Sequence, residues 1–258
     1  MLELIKNGGK KVASIKEAYD STIGESFTGL KLLLWAIPLS YCRDIVASGH
    51  YDFISGCIVA VFAVLLLGFL AESANNASIK KEVLIPGINL LSMAYNGLKT
   101  ILALGVYTAI AYFGGTFLCG LFDISADHAV LDMTAKIMIW LLLIAIPASG
   151  FIIYLRKLSL IDAYNIKRLG QVMGDTFIMF SYLIVKLGIL TALVIGFISY
   201  LFWMFVGFDN YLISYIWSIA ILYNLVIGVN YFAQYSEELI SLIEKREGKE
   251  TIEAAKLY

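Results

Sequence analysis

The sequence predicts an all-α integral membrane protein: a helical bundle of about six transmembrane helices, with amphipathic interfacial helices on the cytoplasmic side. Of its 258 residues, 60% are hydrophobic and 15% are charged, whereas about 25% of residues are charged in an ordinary soluble domain. A soluble fold could not hide so much apolar surface, but a bilayer can hold it against lipid. The net charge of −1 predicts no nucleic-acid partner, because nucleic-acid binding needs a basic face.

One transmembrane domain is expected across residues 1–258. It would comprise a cytoplasmic amphipathic N-terminus at 1–26, a six-span bundle at 27–235 and a charged cytoplasmic tail at 236–258. Lysines occur in the first 26 residues without an apolar run directly after them, so no cleavable signal peptide is predicted. The tail is predicted to continue the last helix inward, with a break at Gly248.

Six segments are candidates to cross the membrane, since a span needs about 20 apolar residues. The first is the weakest, because it contains Pro38 and its apolar part stops before Arg43 and Asp44. The fifth is longer than one crossing requires, so it must tilt or begin as an interfacial helix. In chain order the predicted spans are Phe27–Ala47, Phe53–Ala71, Thr100–Phe122, Met133–Leu155, Phe177–Phe208 and Tyr211–Tyr235.

Basic residues set the predicted orientation, because Lys and Arg concentrate in cytoplasmic segments. With a cytoplasmic N-terminus, the segments predicted inside hold fifteen Lys and Arg residues, and the outer loops hold only Arg43. Both termini are therefore predicted to be cytoplasmic. The predicted location is the cytoplasmic (inner) membrane of a bacterium or archaeon, with membrane lipids as partners.

Interfacial helices are predicted from apolar residues at helical spacing in the inner segments. The clearest is Pro86 to Leu98, where Ile88 and Leu91 share one face; Lys157 to Met173 and Lys10 to Gly24 are similar. Ala-Tyr-Asp or Ala-Tyr-Asn occurs in each of these segments, at 18–20, 94–96 and 163–165. The chain therefore holds either a threefold internal repeat or three ordinary helical hairpins.

A family resemblance covers roughly the middle two thirds of the chain. The stretch from Gly68 (GFLAESANN, then VLIPGINLLSMAYNGLKTILALGVYTAIAYFGG) and the later SLIDAYNIKRLGQVMGDTF resemble the domain-of-unknown-function family 4013 of archaeal and bacterial multi-pass membrane proteins. The matching motifs are Ile85-Pro86, Gly97-Leu98-Lys99, Tyr107 and Ala163-Tyr164-Asn165-Ile166. The family has no agreed activity, so the resemblance implies a fold and no catalytic residue.

Two polar residues inside predicted spans are candidate intramembrane contacts. Asn224 lies near the middle of the last span and needs a partner, since lipid offers none. We expect an interhelical hydrogen bond, with a polar point in a solute pathway as the alternative. Lys186 would cost about 2.5–3.5 kcal/mol at a helix centre, but near the inner edge it can extend to the headgroups, which is the prediction.

Small residues and a proline mark two features of the later spans. Gly188, Ala192 and Gly196 form a stripe at four-residue spacing, which predicts a close-packing helix face. Pro147 is predicted to kink or loosen the fourth span.

No catalytic, cofactor-binding or metal-binding residue is predicted. Residue types that could bind zinc or copper fall toward the outer face: His50, His128, Asp52, Asp127, Cys42, Cys57 and Cys119. Their spacing matches no known ligand pattern, so ordinary loop histidines and apolar cysteines are the expectation. A Cys42–Cys119 disulfide stays open, because the outer compartment can be oxidising.

Two functions remain compatible with the sequence. The preferred one is a non-catalytic membrane scaffold or accessory subunit, with a protein partner or a second copy of the chain. The alternative is a permease for a small neutral or lipid-like solute. The firm spans, as bounded above, hold no acidic residue to serve an ion-coupled carrier. The chain also lacks phosphate-loop, nucleophile-elbow and zinc-protease motifs, so an enzyme is not expected.

Overall fold

The computed structural model describes residues 15–24, 27–49, 52–79, 85–121, 129–155, 157–207 and 211–255. These residues form helices and their connections, with no β-strand among them, and the predicted all-α membrane bundle is confirmed. The helices are α1 (Ile15–Ile23), α2 (Thr28–Ser48), α3 (Phe53–Ser78), α4 (Leu90–Leu121), α5 (Ala129–Leu155), α6 (Leu160–Ala163), α7 (Ile166–Leu183), α8 (Ile189–Val206) and α9 (Tyr211–Ala255).

Five helical stretches among the described residues are long and apolar enough to cross a membrane. They are Phe53–Ser78, Leu90–Leu121, Leu131–Leu155, Ile166–Phe205 and Tyr211–Ser236. The weakest predicted span, α2, is a continuous helix of 21 residues through Pro38, but it is not among the five. Its charged residues lower its mean hydropathy, so a sixth crossing stays a prediction.

The charged end of α2 is held against α9 by a small polar network. Arg43 Nη2 donates to Ser214 Oγ at 2.7 Å, and Ser214 Oγ donates to Asp44 Oδ1 at 2.6 Å. Arg43 Nη2 also lies 3.8 Å from Asp44 Oδ1. Polar partners therefore keep α2 packed along the bundle where its apolar sequence stops.

The start of α3 is fixed by a capping box. The Asp52 carboxylate accepts from the Ser55 backbone N–H at 2.6 Å, and the Asp52 N–H donates to Ser55 Oγ at 3.1 Å. These reciprocal bonds satisfy N–H groups that have no partner within the helix. The hydrogen bonds from Ser55 also lower the pKa of Asp52, because they favour its charged form.

The last helix, α9, is the centre of the bundle and contacts α1, α2, α3, α5 and α8. Together these helices surround a continuous apolar core whose members include Leu32, Phe69, Ile152, Leu222 and Val226, all fully buried. The α3–α4 and α4–α5 pairs pack beside it as antiparallel hairpins.

Several helix ends differ from those predicted. The helix predicted from Pro86 as a separate interfacial element begins at Leu90 and runs without a break into the span, ending at Leu121. A separate flat helix over Pro86–Leu98 is therefore wrong, because this segment is continuous with the span and Ser92 and Asn96 bond Glu72 of α3. The break predicted at Gly248 is also wrong, since the tail does extend α9 but passes Gly248 to Ala255.

The fifth predicted span and the amphipathic segment before it are one long helix. A turn of π-helix at Ile184–Gly188 joins α7 to α8, and the stretch Ile166–Phe205 is 40 residues long. At 1.5 Å per residue it measures about 60 Å, twice the hydrocarbon thickness of about 30 Å. The predicted excess length is therefore present, as a helix that extends beyond one crossing.

Candidate functional site

A glycine crossing sets the distance between α3 and α4. A Cβ added at Gly68 would lie 1.8 Å from the Met93 carbonyl oxygen, and one at Gly97 would lie 2.0 Å from the Val64 carbonyl oxygen. Only glycine allows the two backbones to approach so closely. The next turns of both helices are therefore held face to face.

Glu72 lies one turn beyond this crossing and is bonded to α4. Its Oε1 accepts from Ser92 Oγ at 2.5 Å and from Asn96 Nδ2 at 2.7 Å. Both donors lie on the face of α4 that Gly97 brings toward α3. Neutral donors thus stabilise the carboxylate at the end where α3 ends and α4 begins, which is the predicted cytoplasmic end.

An open cavity of about 580 Å³ adjoins this carboxylate; we call it the Glu72 cavity. Polar and apolar surface contribute about equally to its lining, which is formed by Glu72, Asn75, Asn76, Pro86, Gly87, Ile88, Asn89, Ser92, Asn96 and Leu158. The volume falls in the range of ligand pockets, about 300–1,000 Å³. Among these residues, Glu72 carries the one ionisable side chain.

Local features explain why polar residues form the cavity wall. Asn89 stands just before α4, and its side-chain oxygen accepts from the Ser92 N–H at 3.2 Å, as an N-cap does. Leu158, in the connection between α5 and α6, has a positive φ of 47°. Such a conformation is strained for a residue with a Cβ, and here it belongs to the cavity wall.

A second polar network lies buried beside the cavity helices and joins α1, α3 and α9. Ser73 Oγ donates to Asn230 Oδ1 at 3.2 Å, and Asn230 Nδ2 donates to Thr22 Oγ1 at 2.9 Å. All three side chains are fully buried, so these hydrogen bonds take the place of bonds to water, which the core excludes. This network fixes α1 against the bundle, and its hydrogen bonds close on one another.

Asn224 and Lys186, the predicted intramembrane contacts, occupy different surroundings. Asn224 Nδ2 donates to Thr191 Oγ1 at 2.8 Å, which links α9 to α8. Lys186 lies in the π-helical turn, with Nζ 4.7 Å from the centroid of the Tyr182 ring. Neither residue contributes to the Glu72 cavity.

The predicted packing stripe has no close neighbour in the described part of the chain. A Cβ at Gly196 would meet no atom within 4 Å, and one at Gly188 would meet only Ile184 of its own helix; Ala192 is exposed. Pro147 lies within α5, which continues past it to Leu155. The structure therefore does not bring these residues into one site.

Those residues considered for metal binding that the structure describes do not meet either. All three cysteines are free, so the Cys42–Cys119 disulfide is not formed. His50, His128 and Asp127 lie outside the described residues. Within the described ranges, no group of three or more His, Cys, Asp and Glu side chains could hold a metal ion.

Glu72 is the site residue that the sequence analysis missed. The predicted span stopped at Ala71, whereas the helix continues to Ser78. A signal was present: Glu72, Asn75 and Asn76 have the spacing of one helix face, as do Asn89, Ser92 and Asn96. Two polar faces on consecutive helices can meet across a hairpin, and here they do.

Comparisons with known proteins add no assignment. No family model, no curated protein and no solved structure matches the chain. The resemblance to the domain-of-unknown-function family 4013 therefore stays a prediction. The chain is a multi-pass helical membrane protein, and its described residues include a cavity with an ionisable side chain, Glu72.

Proposed function

We propose that the chain is a non-catalytic membrane scaffold or accessory subunit, acting through helix packing in a cytoplasmic (inner) membrane. The observation that carries this proposal is the filled middle of the bundle. The Trp35 ring lies 5.0 Å from that of Phe69 and 5.8 Å from that of Phe62, measured between centroids. Leu222 and Val226 of α9 are fully buried in the same core.

This aromatic core supports a structural function because large apolar rings, rather than exchangeable polar groups, occupy the contact between the described parts of α2 and α3. The polar side chains buried nearby, such as those of Asn230 and Ser73, form hydrogen bonds with each other. A carrier needs polar groups that can exchange partners along a path. A closed network instead stabilises one arrangement of the helices.

The alternative, a permease for a small neutral or lipid-like solute, is favoured by one observation. The Glu72 cavity is open and polar at one end of the bundle, as the entrance of a carrier would be. Such a carrier would have to separate the Trp35, Phe62 and Phe69 rings to complete its path.

Reconstitution into liposomes distinguishes the two functions. For a scaffold, glycerol entry followed by light scattering should match protein-free vesicles. Fluorescent phospholipid should also stay protected from dithionite in the inner leaflet. Glycerol entry or lipid exchange clearly above the protein-free rate, and abolished by a bulky substitution in the cavity wall such as Gly87→Trp, would replace the scaffold by the permease. A matched control is Gly196→Trp, at an open position on α8.

The orientation is part of the same proposal: both termini cytoplasmic, with lipids and a protein partner or second copy as neighbours. It is supported by the fifteen-to-one distribution of basic residues. Reporter fusions after Asp52, Asp127 and Asp209 should be active outside, and one after Lys81 inside. An external signal after Lys81 would contradict the six-span arrangement.

A further inference from the structure

We propose that the Glu72 cavity binds a primary ammonium group, carried by an aminophospholipid headgroup or by a free small amine. This inference goes beyond the scaffold function and does not depend on it. Four features of the cavity support ammonium binding: its charge, the acceptors around it, its depth in the membrane and its apolar wall.

Among the described residues that line the cavity, Glu72 carries the one charged side chain, and none of them is Lys, Arg or His. Both hydrogen bonds given to Glu72 end on Oε1, and Oε2 receives none from the described residues. Residues of α4 thus hold the carboxylate in place through Oε1, and Oε2 can accept from a further donor. A cation is the partner that a carboxylate prefers.

The neutral acceptors match an ammonium group in number. A primary ammonium has three N–H donors and no acceptor. Glu72 Oε2 can accept one, and the side-chain oxygens of Asn75 and Asn89, which also line the cavity, can accept the others. Each carbonyl oxygen has two lone pairs, so Asn89 can do this while it caps the Ser92 N–H.

The same groups suit a divalent metal poorly. Calcium takes six to eight oxygen ligands and usually several carboxylates, whereas this cavity offers one. Two donors, Ser92 Oγ and Asn96 Nδ2, already point at the carboxylate, and their hydrogens would oppose a metal placed there. A monovalent organic cation needs neither a second carboxylate nor displacement of these donors.

The depth of Glu72 corresponds to the level of lipid headgroups. From Phe53, at the start of α3, Glu72 is nineteen residues along the helix, or about 29 Å at 1.5 Å per residue. The hydrocarbon core of a bilayer is about 30 Å thick. Pro86, Ile88 and Leu158 supply an apolar part of the wall beside the carboxylate, which suits an amphiphilic amine.

Headgroup preference in the full-length wild-type protein is the direct test. Purified in a maltoside detergent, the protein is titrated calorimetrically with dihexanoyl phosphatidylethanolamine and with dihexanoyl phosphatidylcholine. The choline group carries the same charge but has no N–H donor. We expect the ethanolamine lipid to bind at least about tenfold more tightly, as loss of a charge-assisted hydrogen bond implies. Equal binding of the two lipids would overturn the proposal.

A matched pair of variants assigns the preference to the cavity. Glu72→Gln removes the charge but keeps an oxygen acceptor for Ser92 and Asn96, and it should abolish the tenfold preference. Asp20→Asn removes an exposed carboxylate of α1 and should retain it. A preference that survives Glu72→Gln, or is lost equally in both variants, would contradict the assignment. If Glu72→Gln does not fold, the wild-type headgroup comparison decides alone.

Two further titrations distinguish a lipid headgroup from a free amine, and an ammonium group from a metal ion. If ethanolamine alone competes with the lipid, the cavity binds free amines; if only the lipid binds, the apolar wall contributes. Both outcomes support ammonium binding. Saturable calcium binding that Glu72→Gln abolishes, without any headgroup preference, would assign the cavity to a metal instead. The liposome flux assay above is independent of these results.

Discussion

Small residues occur on two helical regions of this protein and have different surroundings in each. In the α3–α4 hairpin, Gly68 and Gly97 stand where each helix meets the backbone of the other. In the α7–α8 arm, Gly188 and Gly196 meet nothing outside their own helix. In the most apolar stretch of α3 and of α4, 22% of the residues are buried, whereas 6% are buried in the corresponding stretch of the arm. A small-residue spacing therefore indicates close packing only where another backbone is in reach.

The polar residues show the same contrast. Glu72, Ser92 and Asn96 bond one another across the hairpin, because the glycine crossing brings their helices together. In the arm, Lys186 has the ring of Tyr182 on its own helix as its partner. The close approach of α3 and α4 at their glycines thus allows polar groups on the two helices to bond each other.

The largest expected effect is at the glycine crossing. Gly68→Ala places a methyl group where the Met93 carbonyl oxygen now lies, so α3 and α4 must separate. We expect a loss of about 3 kcal/mol or more in stability, measured by unfolding in detergent. Gly196→Ala is the control and should change nothing or add up to about 1 kcal/mol, from better helix propensity. Equal losses in the two variants would remove the contrast between the regions.

The next effect concerns the amides of Asn230, which is fully buried, and of Asn224, which is half-buried. Asn230→Ala leaves the Ser73 hydroxyl without its acceptor in a fully buried place, and we expect a loss of about 1–2 kcal/mol. Asn224→Ala breaks one half-buried bond between α9 and the arm, and should cost about 0.6 kcal/mol. Chemical unfolding of both variants measures the difference. A larger loss for Asn224 would mean that the arm is fixed as firmly as the hairpin.

Two tyrosines, one in each region, are expected to differ less in their contribution to stability. Tyr107 of α4 is buried and its hydroxyl donates to the Ala163 carbonyl oxygen at 2.6 Å. Tyr107→Phe should therefore cost about 1 kcal/mol. Tyr200 of α8 is exposed, and Tyr200→Phe should leave the unfolding temperature unchanged. If Tyr107→Phe were also neutral, the contact between α4 and α6 would not contribute to stability.

The smallest expected effect is shared by both regions. Lys99 lies 4.6 Å from the centroid of Tyr95 on α4, and Lys186 lies 4.7 Å from that of Tyr182. At exposed sites such contacts contribute about 0.5–1 kcal/mol, so Lys99→Gln and Lys186→Gln should destabilise equally. An insertion gain of about 2 kcal/mol for Lys186→Gln would instead place Lys186 deep in the hydrocarbon.

The starts of α3 and α9 could be predicted from the sequence, but the polar end of α3 and the polar starts of α4 and α7 could not. Hydropathy places Phe53 and Tyr211 at helix starts, as the structure does. It ends α3 at Ala71, because Glu72 and the asparagines after it look like a loop. Glu72 is accommodated in the helix because its partners, Ser92 and Asn96, are on α4, and that information is not local.

The candidate site shows the same limit. Single-helix patterns mark polar faces in α3 and α4, but their meeting depends on the crossing geometry at Gly68 and Gly97. Asn224 stood out because apolar residues surround it in the sequence. Asn230, which is more deeply buried, did not, since its importance comes from Thr22, 208 positions away.

The central position of α9 has a consequence for biosynthesis. The helix that contacts α1, α2, α3, α5 and α8 is the last of the described helices in chain order. Between Thr28 and Tyr211 the ribosome adds 183 residues, which takes roughly 10–40 s at 5–20 residues per second. During that time the earlier helices are in the membrane without α9 to cover the surfaces that it contacts. The newly made chain is thus most open to insertases, chaperones and proteases just before α9 is made.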